Sequence, residues 1–121
     1  MSALVVGFRD DDGSIPLLAW LDRLPQKAVA KCIAAIELLK ERGHELRRPH
    51  ADYLRDGIYE LRVKHTGINY RILYFFHGRT AVVLSHGITK QRATVPPREI
   101  EIAIARKERF AEAPAAHTYE V

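Results

Sequence analysis

The sequence has little of what would place it in several large classes of protein. It contains a single cysteine, Cys32, so no disulfide can form within the chain, and this fits a reducing compartment. No apolar run approaches the roughly 18 residues that a transmembrane helix needs. The apolar opening Ala3–Phe8 is too short for a signal peptide, and no basic residue precedes it. We therefore expect a soluble protein of the cytoplasm with no membrane partner.

Three common kinds of reaction centre also lack their sequence patterns. The histidines show no paired spacing with cysteine or carboxylate that is typical of zinc sites. The glycines are isolated rather than gathered in a phosphate-binding loop. Ser85 and His86 are neighbours on a predicted strand, so their side chains should point to opposite faces and not form a nucleophile–base pair. The sequence predicts neither a metal site nor a cofactor.

What the chain does have is a moderate excess of positive charge in a length that suits one domain. The net charge is +4 over 121 residues, which fits binding to a polyanion without requiring it. Residues 1–110 are predicted to form that single domain. Residues 111–121 contain few core-forming side chains and are predicted to be a disordered tail.

Local patterns predict an α+β domain with the element order β-α-α-β-β-β-α. The predicted elements outside the central strands are a strand at Ala3–Arg9, a short helix capped by Ser14, a helix from Pro25 to about Arg42, and a helix from Pro96 to about Phe110. Residues 43–56 are predicted to be irregular. The long helix has one apolar stripe, formed by Val29, Cys32, Ile33, Ile36 and Leu39. We expect the helices to pack on one face of a small antiparallel sheet, leaving its other face exposed.

The central segment from Asp56 to Lys90 has the pattern of three strands joined by tight turns. A two-residue turn at Thr66-Gly67 would place Arg62 opposite Arg71, and Lys64 opposite Asn69. A second two-residue turn at His77-Gly78 would carry this register on. His86 would then face Asn69, and Leu84 would face Arg71. The register therefore predicts that Arg62, Arg71, Lys64 and His86 lie together on the exposed face.

Two arginines directly opposite each other on a sheet should repel. An anion bound between them would explain the pair, and replacing either by alanine would then leave the fold intact. Two alternatives stay open: Glu60 could be a diagonal partner of Arg62, or a register shift of one residue could separate the arginines. A cluster of cations with one imidazole suits cleavage of RNA, which needs a base for the 2′-OH, cations for the charged phosphorane and an acid for the leaving 5′ oxygen.

These residues also carry a resemblance to a known family. The run DGIYELRVK … YRILYFF … VVLSHGITK … PPREIEIA resembles the phage-derived, HigB-like branch of the RelE/ParE toxin superfamily, the toxins of type II toxin–antitoxin modules. The resemblance covers roughly Val5 to Arg109. It implies a RelE-like fold and an mRNA interferase, which is an endoribonuclease that often acts on ribosome-bound message. It also implies neutralisation by a helix-turn-helix antitoxin.

Carried over residue by residue, the resemblance implies a catalytic set. Arg62 and Arg71 match the strand arginines of the family. His86 and Lys90 match its His-Gly-x-x-Lys segment. Further basic residues are candidates for RNA binding, namely Lys64, Arg92 and Arg48.

The sequence departs from the family pattern at two positions. Gln91 stands where a second lysine is usual, and Ile88 stands where an aromatic residue usually follows His-Gly. These departures leave His86 or Lys64 as alternatives for the proton transfers that the two lysines of the family's segment would carry out.

Other interpretations stay open beside the endoribonuclease. A ParE-like poison of DNA gyrase would need no catalytic cluster, and a phage-derived module that binds nucleic acid or protein would need no chemistry. Lys90 and Arg92 could be solvated loop charges. Trp20, with Leu17 or Leu21, could anchor an antitoxin or could belong to the core.

Overall fold

The structure is a computed structural model that describes residues 2–90 and 94–121. Over these residues the chain forms six strands and three α-helices, so the expected α+β class and RelE-like fold are confirmed. The strands are β1 Leu4–Phe8, β2 Ala51–Arg55, β3 Ile58–His65, β4 Ile68–His77, β5 Ala81–Lys90 and β6 Thr118–Glu120, and the helices are α1 Pro16–Leu21, α2 Gln26–Arg42 and α3 Pro97–Glu112. Within the described residues, no helix is long and apolar enough to cross a membrane.

All six strands belong to one sheet in the order β2-β3-β4-β5-β1-β6. The pairing of β1 with β5 is parallel, and the other pairings are antiparallel. The strand β2 and the terminal strand β6 form the two edges. The contiguous antiparallel strands β3, β4 and β5 therefore lie between β2 on one side and β1 on the other.

The predicted register of the β3–β4 hairpin is confirmed. Arg62 lies opposite Arg71, and Lys64 lies opposite Asn69. Thr66 and Gly67 both have positive φ, 48° and 80°, as a type I′ two-residue turn requires. This turn fixes the pairing of every residue along the hairpin.

The predicted register of β5 against β4 is wrong. His77 pairs with Ala81, so the connection contains three residues rather than two. A β-bulge at Ser85 then shifts the pairing by one more residue. His86 consequently lies opposite Leu73 rather than Asn69, and Arg71 lies opposite Ile88 rather than Leu84.

Helices cover both faces of the sheet, so the expectation of one covered face is wrong. On one face α1 and α2 pack against a core that includes Leu61 and Ile72. On the other face α3 packs against Leu73 and Phe75. The apolar run at residues 72–76 of β4 is the cause, because consecutive apolar residues on a strand must be buried on both of its faces. The Arg62–Arg71 pair lies on the α3 face.

The helix α2 has the predicted bounds, and most of its predicted stripe is buried. It follows Pro25 and ends at Gly43, whose φ of 53° suits glycine. Cys32 is buried, and this burial raises the pKa of its thiol to about 11, as expected of a packing residue. Ile33, however, is half exposed. At α1, Ile15 rather than Ser14 occupies the N-cap position, and the Ser14 hydroxyl donates to Asp12.

Two segments are more regular than the sequence predicted. The segment 43–56 contains β2, which pairs with β3. Residues 111–121 complete α3, form a 3₁₀ turn at Pro114–His117 and pair with β1 as β6. His117 is buried, stacks on Phe8 with ring centroids 5.0 Å apart, and bonds the Arg9 carbonyl oxygen through Nδ1 at 2.8 Å. These contacts tie the chain end to the sheet in place of the predicted tail.

Trp20 is a core residue, and its role as an exposed partner anchor is excluded. The side chain is buried, its ring packs edge-on to Tyr70, and its Nε1–H donates to Thr89 Oγ1 at 3.1 Å. The ring lies directly over Gly87 on β5. A Cβ atom at that position would lie 2.0 Å from Trp20 Cε3, so only glycine allows this approach.

We predict that Gly87→Ala destabilises the fold, because the indole would have to leave its site over β5. Overpacking of this kind costs about 1–3 kcal/mol or more in the free energy of unfolding. Gly7→Ala is the matched control, since its Cβ would meet atoms only at ordinary contact distances of 3.5 Å and beyond. Urea unfolding of both variants measures the difference, and equal effects of the two substitutions would contradict the prediction.

Candidate functional site

A buried carboxylate lies between the paired arginines. Glu60 Oε2 accepts a hydrogen bond from Arg62 Nε at 2.9 Å, and Glu60 Oε1 lies 2.9 Å from Arg71 Nε. The second contact lacks the alignment of a hydrogen bond and is an ion pair. Glu60 is almost fully buried, and so is Arg71, whereas the Arg62 side chain is 31% exposed.

Glu60 therefore supplies the anion that the arginine pair requires. It adjoins Arg62 two residues along the same strand, and its other oxygen reaches Arg71 across the strand pair. A bound ligand is not needed to explain the pair. For Arg71 the structure gives a different prediction from the expectation that alanine at either arginine leaves the fold intact, because removing Arg71 would leave Glu60 buried without that partner.

The network continues to the edge strand. Asp52 Oδ2 lies 3.4 Å from a terminal nitrogen of Arg62 and 2.8 Å from a terminal nitrogen of Arg48. The hydrogen bond from Arg48 lowers the pKa of Asp52 below its ordinary value. Three guanidiniums and two carboxylates thus form one connected cluster across β2, β3 and β4, which we call the arginine cluster: Arg48, Asp52, Glu60, Arg62 and Arg71.

A second polar group joins β5 to the start of α3. The Nε2 atom of His86 lies 3.0 Å from Glu99 Oε1, and its Nδ1 atom lies 2.8 Å from Ser85 Oγ. With Nε2–H donating to the carboxylate, Nδ1 accepts from the serine hydroxyl. The β-bulge at Ser85 places the two consecutive side chains in contact, so the expectation that they point apart is wrong.

This environment keeps the His86 imidazole neutral. Burial lowers the pKa of His86 below its ordinary value, and the nearby Arg106 guanidinium lowers it further, against the opposite effect of Glu99. Both ring nitrogens are engaged, and the residue is only 8% exposed. His86 therefore supports Glu99, whose side chain is 28% exposed, and it does not itself present a free proton donor.

The two polar groups are neighbours on the α3 face. Arg71 lies opposite Ile88, and His86 lies opposite Leu73, so Arg71 and His86 are diagonal neighbours, which places their Cα atoms about 7–8 Å apart. The sequence correctly predicted that Arg62, Arg71 and His86 share a face. A cavity of about 300 Å³ opens beside the arginine cluster, lined by Glu60, Arg62 and residues near the start of α3.

The remaining predicted residues lie around this face or outside the described part. Lys64 is exposed next to Arg62 along β3. The backbone of Lys90 pairs with Asn69, which also pairs with Lys64, so the two lysines lie on strands that flank β4. Arg92 lies outside the described residues. Arg48 is exposed and belongs to the arginine cluster.

The sequence assigns no role to two carboxylates of the site, Asp52 and Glu99. The alternative that Glu60 is a diagonal partner of Arg62 is confirmed, but the contact of Glu60 with Arg71 was not predicted. The alternation of β3 would have placed Glu60 on the face of Arg62, which is the signal for it. Among residues 2–90 and 94–121, no group of three or more His, Cys, Asp or Glu side chains is placed to hold a metal ion.

We predict that the arginines differ in their contribution to stability. Arg71→Ala should lower the free energy of unfolding by about 3–5 kcal/mol, because it leaves the buried Glu60 without this partner. Arg62→Ala should cost less, about 1–3 kcal/mol, because Arg62 is partly exposed but donates the hydrogen bond that the buried Glu60 Oε2 accepts. Urea unfolding should also show that Glu60→Leu/Arg71→Met recovers most of the loss. Equal, small and additive effects would count against the network.

We also predict a pH-dependent contribution from His86. Its pKa in the folded chain lies below the unfolded value of about 6.5, so protonation favours the unfolded state. The stabilisation is present above about pH 6.5 and is lost as the pH falls. Melting temperatures from about pH 7.5 to 5.5 should fall less in His86→Asn than in the parent chain, while the exposed His50→Asn should keep the parent slope. A parent slope in His86→Asn would refute this.

Comparison with known proteins assigns the chain to a family. No curated protein matches the chain. The model of the family described as "Phage derived protein Gp49-like (DUF891)" matches residues 19–108. This range includes helix α2, most of helix α3 and both polar groups of the site. This family is a member of the RelE-like toxin superfamily. The chain belongs to the Gp49-like family of phage-derived proteins.

Proposed function

We propose that this chain is the toxin of a type II toxin–antitoxin module, of the HigB-like kind, and that it cleaves messenger RNA without a metal ion. One observation carries the proposal. The guanidiniums of Arg62 and Arg71, on facing strands, are held by the buried carboxylate of Glu60. Near them is a second carboxylate, that of Glu99, which is hydrogen-bonded to the imidazole of His86. Cations held in place before the substrate arrives are what stabilisation of a charged phosphorane requires. The Gp49-like family supports a toxin.

In this proposal Arg62 contacts the scissile phosphate. Its guanidinium is partly exposed, and its Nε is engaged by Glu60, so terminal N–H groups remain to bind phosphate oxygens. Arg71 is buried, so it adds positive charge near the phosphate without contacting it. Because Glu60 contacts both arginines, Arg71 acts through Glu60 as a positioning residue for Arg62.

Glu99 is the group that we assign to the 2′-hydroxyl proton. Its carboxylate is partly exposed, and His86 holds one oxygen by a hydrogen bond. Glu99 accepts the proton as the 2′ oxygen bonds to phosphorus, and the bond from phosphorus to the 5′ oxygen breaks. Lys64 and Lys90, on the strands that flank β4, are the candidates to protonate the leaving oxygen. The products are a 2′,3′-cyclic phosphate and a 5′-hydroxyl.

A toxin of this kind requires an inhibitor. We propose a helix-turn-helix antitoxin encoded beside the gene, which is what the family resemblance implies. The substrate is then messenger RNA, bound either free or on the ribosome, and the protein acts in the cytoplasm.

We predict that induction of the gene alone arrests growth and produces new RNA 5′ ends that carry a hydroxyl group. Arg62→Ala should reduce cleavage about 100-fold or more, because it removes the exposed donor to the phosphorane. Arg79→Gln, in the β4–β5 turn, removes the same charge away from the site and should cleave normally. Sequencing of 5′-hydroxyl ends in arrested cells, with co-expression of the neighbouring reading frame as rescue, measures this.

Chelation tests the chemistry. Because EDTA stops ribosomes, the purified chain is assayed on naked RNA with and without the chelator, and equal cleavage is expected. Products with a 5′-phosphate, or activity that a divalent ion restores, would overturn the acid–base scheme. Growth arrest with intact RNA and broken DNA would instead indicate a gyrase poison.

A further inference from the structure

A cavity that the proposed reaction does not use opens beside the edge strand β2. Its volume is about 450 Å³, within the range of small-molecule sites, about 300–1,000 Å³. It lies around the turn that precedes β2 and around the first half of that strand. The lining residues are Leu46, Arg47, Arg48, Ala51, Asp52, Tyr53 and Tyr59.

The cavity has an aromatic ring that is both exposed and fixed. Tyr53 is 53% exposed, whereas Tyr70 and Tyr74 are buried and Tyr59 is partly buried. The Tyr53 hydroxyl accepts a hydrogen bond from the Gly57 backbone N–H at 3.0 Å. Its ring meets Tyr59 edge-on with centroids 5.0 Å apart, and Tyr59 stacks on Tyr74. A ring held in this way can stack on a flat ligand at little cost in side-chain entropy.

Two exposed guanidiniums lie at the same cavity. Arg47 donates to the His44 carbonyl oxygen at 2.9 Å, and Arg48 donates to Asp52 at 2.8 Å. Each guanidinium has five N–H donors, so both retain donors for an anion. An exposed aromatic ring beside cations is the combination that binds single-stranded nucleic acid, through base stacking and phosphate contacts.

The cavity shares Arg48 and Asp52 with the arginine cluster. Asp52 Oδ2 contacts both Arg48 and Arg62, so the terminal nitrogens of these arginines are no farther apart than the sum of those two contacts. Asp52 and Tyr53 point to opposite faces of β2. An RNA chain that binds Arg62 can therefore pass over the edge of the sheet and reach Arg48 and Tyr53. A flexible single-stranded RNA can follow this path, and a stiff duplex cannot.

We propose that this cavity is a second RNA site, which binds one unpaired nucleotide that flanks the cleaved bond. Its base stacks on Tyr53, and its phosphate binds Arg48. The choice of RNA as the ligand rests on the proposed function. Because every base has a flat face, this site adds affinity without selecting a particular sequence.

The test is the affinity of the full chain for a short fluorescein-labelled RNA of 2′-O-methyl nucleotides, which cannot be cleaved through the 2′ oxygen. Tyr53→Ala should weaken binding about 10-fold by fluorescence anisotropy, since one stacked base is lost. Tyr53→Phe keeps the ring and should bind within about 3-fold of the parent, which separates the effect of the ring from that of the hydroxyl group.

Arg48→Gln tests the phosphate contact. It should weaken binding and reduce the slope of log affinity against log salt by about 1. Arg79→Gln is the matched charge control and should leave that slope nearly unchanged. The corresponding duplex RNA should not respond to Tyr53→Ala.

Parent-like binding by Tyr53→Ala would overturn the second site. So would loss of a co-purified protein partner on Tyr53→Ala with unchanged RNA affinity, which would make the cavity a protein interface. The proposed function fails separately: if RNA binding depends on Tyr53 but the parent chain cuts no RNA, the second site stands without the nuclease. If the parent cuts RNA and Tyr53→Ala binds and cuts it equally well, the nuclease stands without the second site.

Discussion

The contact of one buried carboxylate with two arginines is the constraint on which the polar part of this structure depends. The type I′ turn of the β3–β4 hairpin forces Arg62 and Arg71 to face each other, and Glu60 offsets the repulsion that follows. Burying a carboxylate is costly unless it is paired, so Glu60 in turn requires both cations at their positions. The pair and its counter-charge stabilise each other, and any change to one member alters the stability of the other two.

The bulge at Ser85 has a comparable effect on α3. Without an extra residue in β5, Ser85 and His86 would point to opposite faces of the sheet. The bulge brings both to the α3 face, where His86 reaches Glu99 in the first turn of the helix. At the other end of α3, Arg109 binds Asp10 at 2.7 Å. The helix is thus held at one end by β5 and at the other by the turn that follows β1, and the beginning of α3 lies beside the arginine cluster.

The turns decided how much of this could be predicted. The Thr66-Gly67 turn has one common two-residue geometry, so the β3–β4 pairing followed from the sequence. The connection after His77 has three residues, and the bulge has no residue pattern that announces it, so the position of His86 did not follow. The second covering helix could have been predicted, because β4 is apolar at consecutive positions. The contact of Glu60 with Arg62 followed from their spacing on β3, whereas the burial of Glu60 and its contact with Arg71 depend on tertiary packing.

The distribution of the carboxylates indicates which contacts a phosphate can replace. Glu60 is buried and contacts both Arg62 and Arg71, so an RNA phosphate cannot take its place without exposing the buried part of the arginine cluster, Glu60 and Arg71. Asp52 is partly exposed: its Oδ2 contacts terminal nitrogens of Arg48 and Arg62, and its Oδ1 accepts a hydrogen bond from the Tyr53 backbone N–H. A phosphate that binds either arginine therefore competes with Asp52 alone. The inner carboxylate keeps the guanidiniums in position when no RNA is bound, while the outer one holds their exposed donors only weakly. Arginines arranged in this way are preorganised for an anion, and their binding surface is still free to exchange.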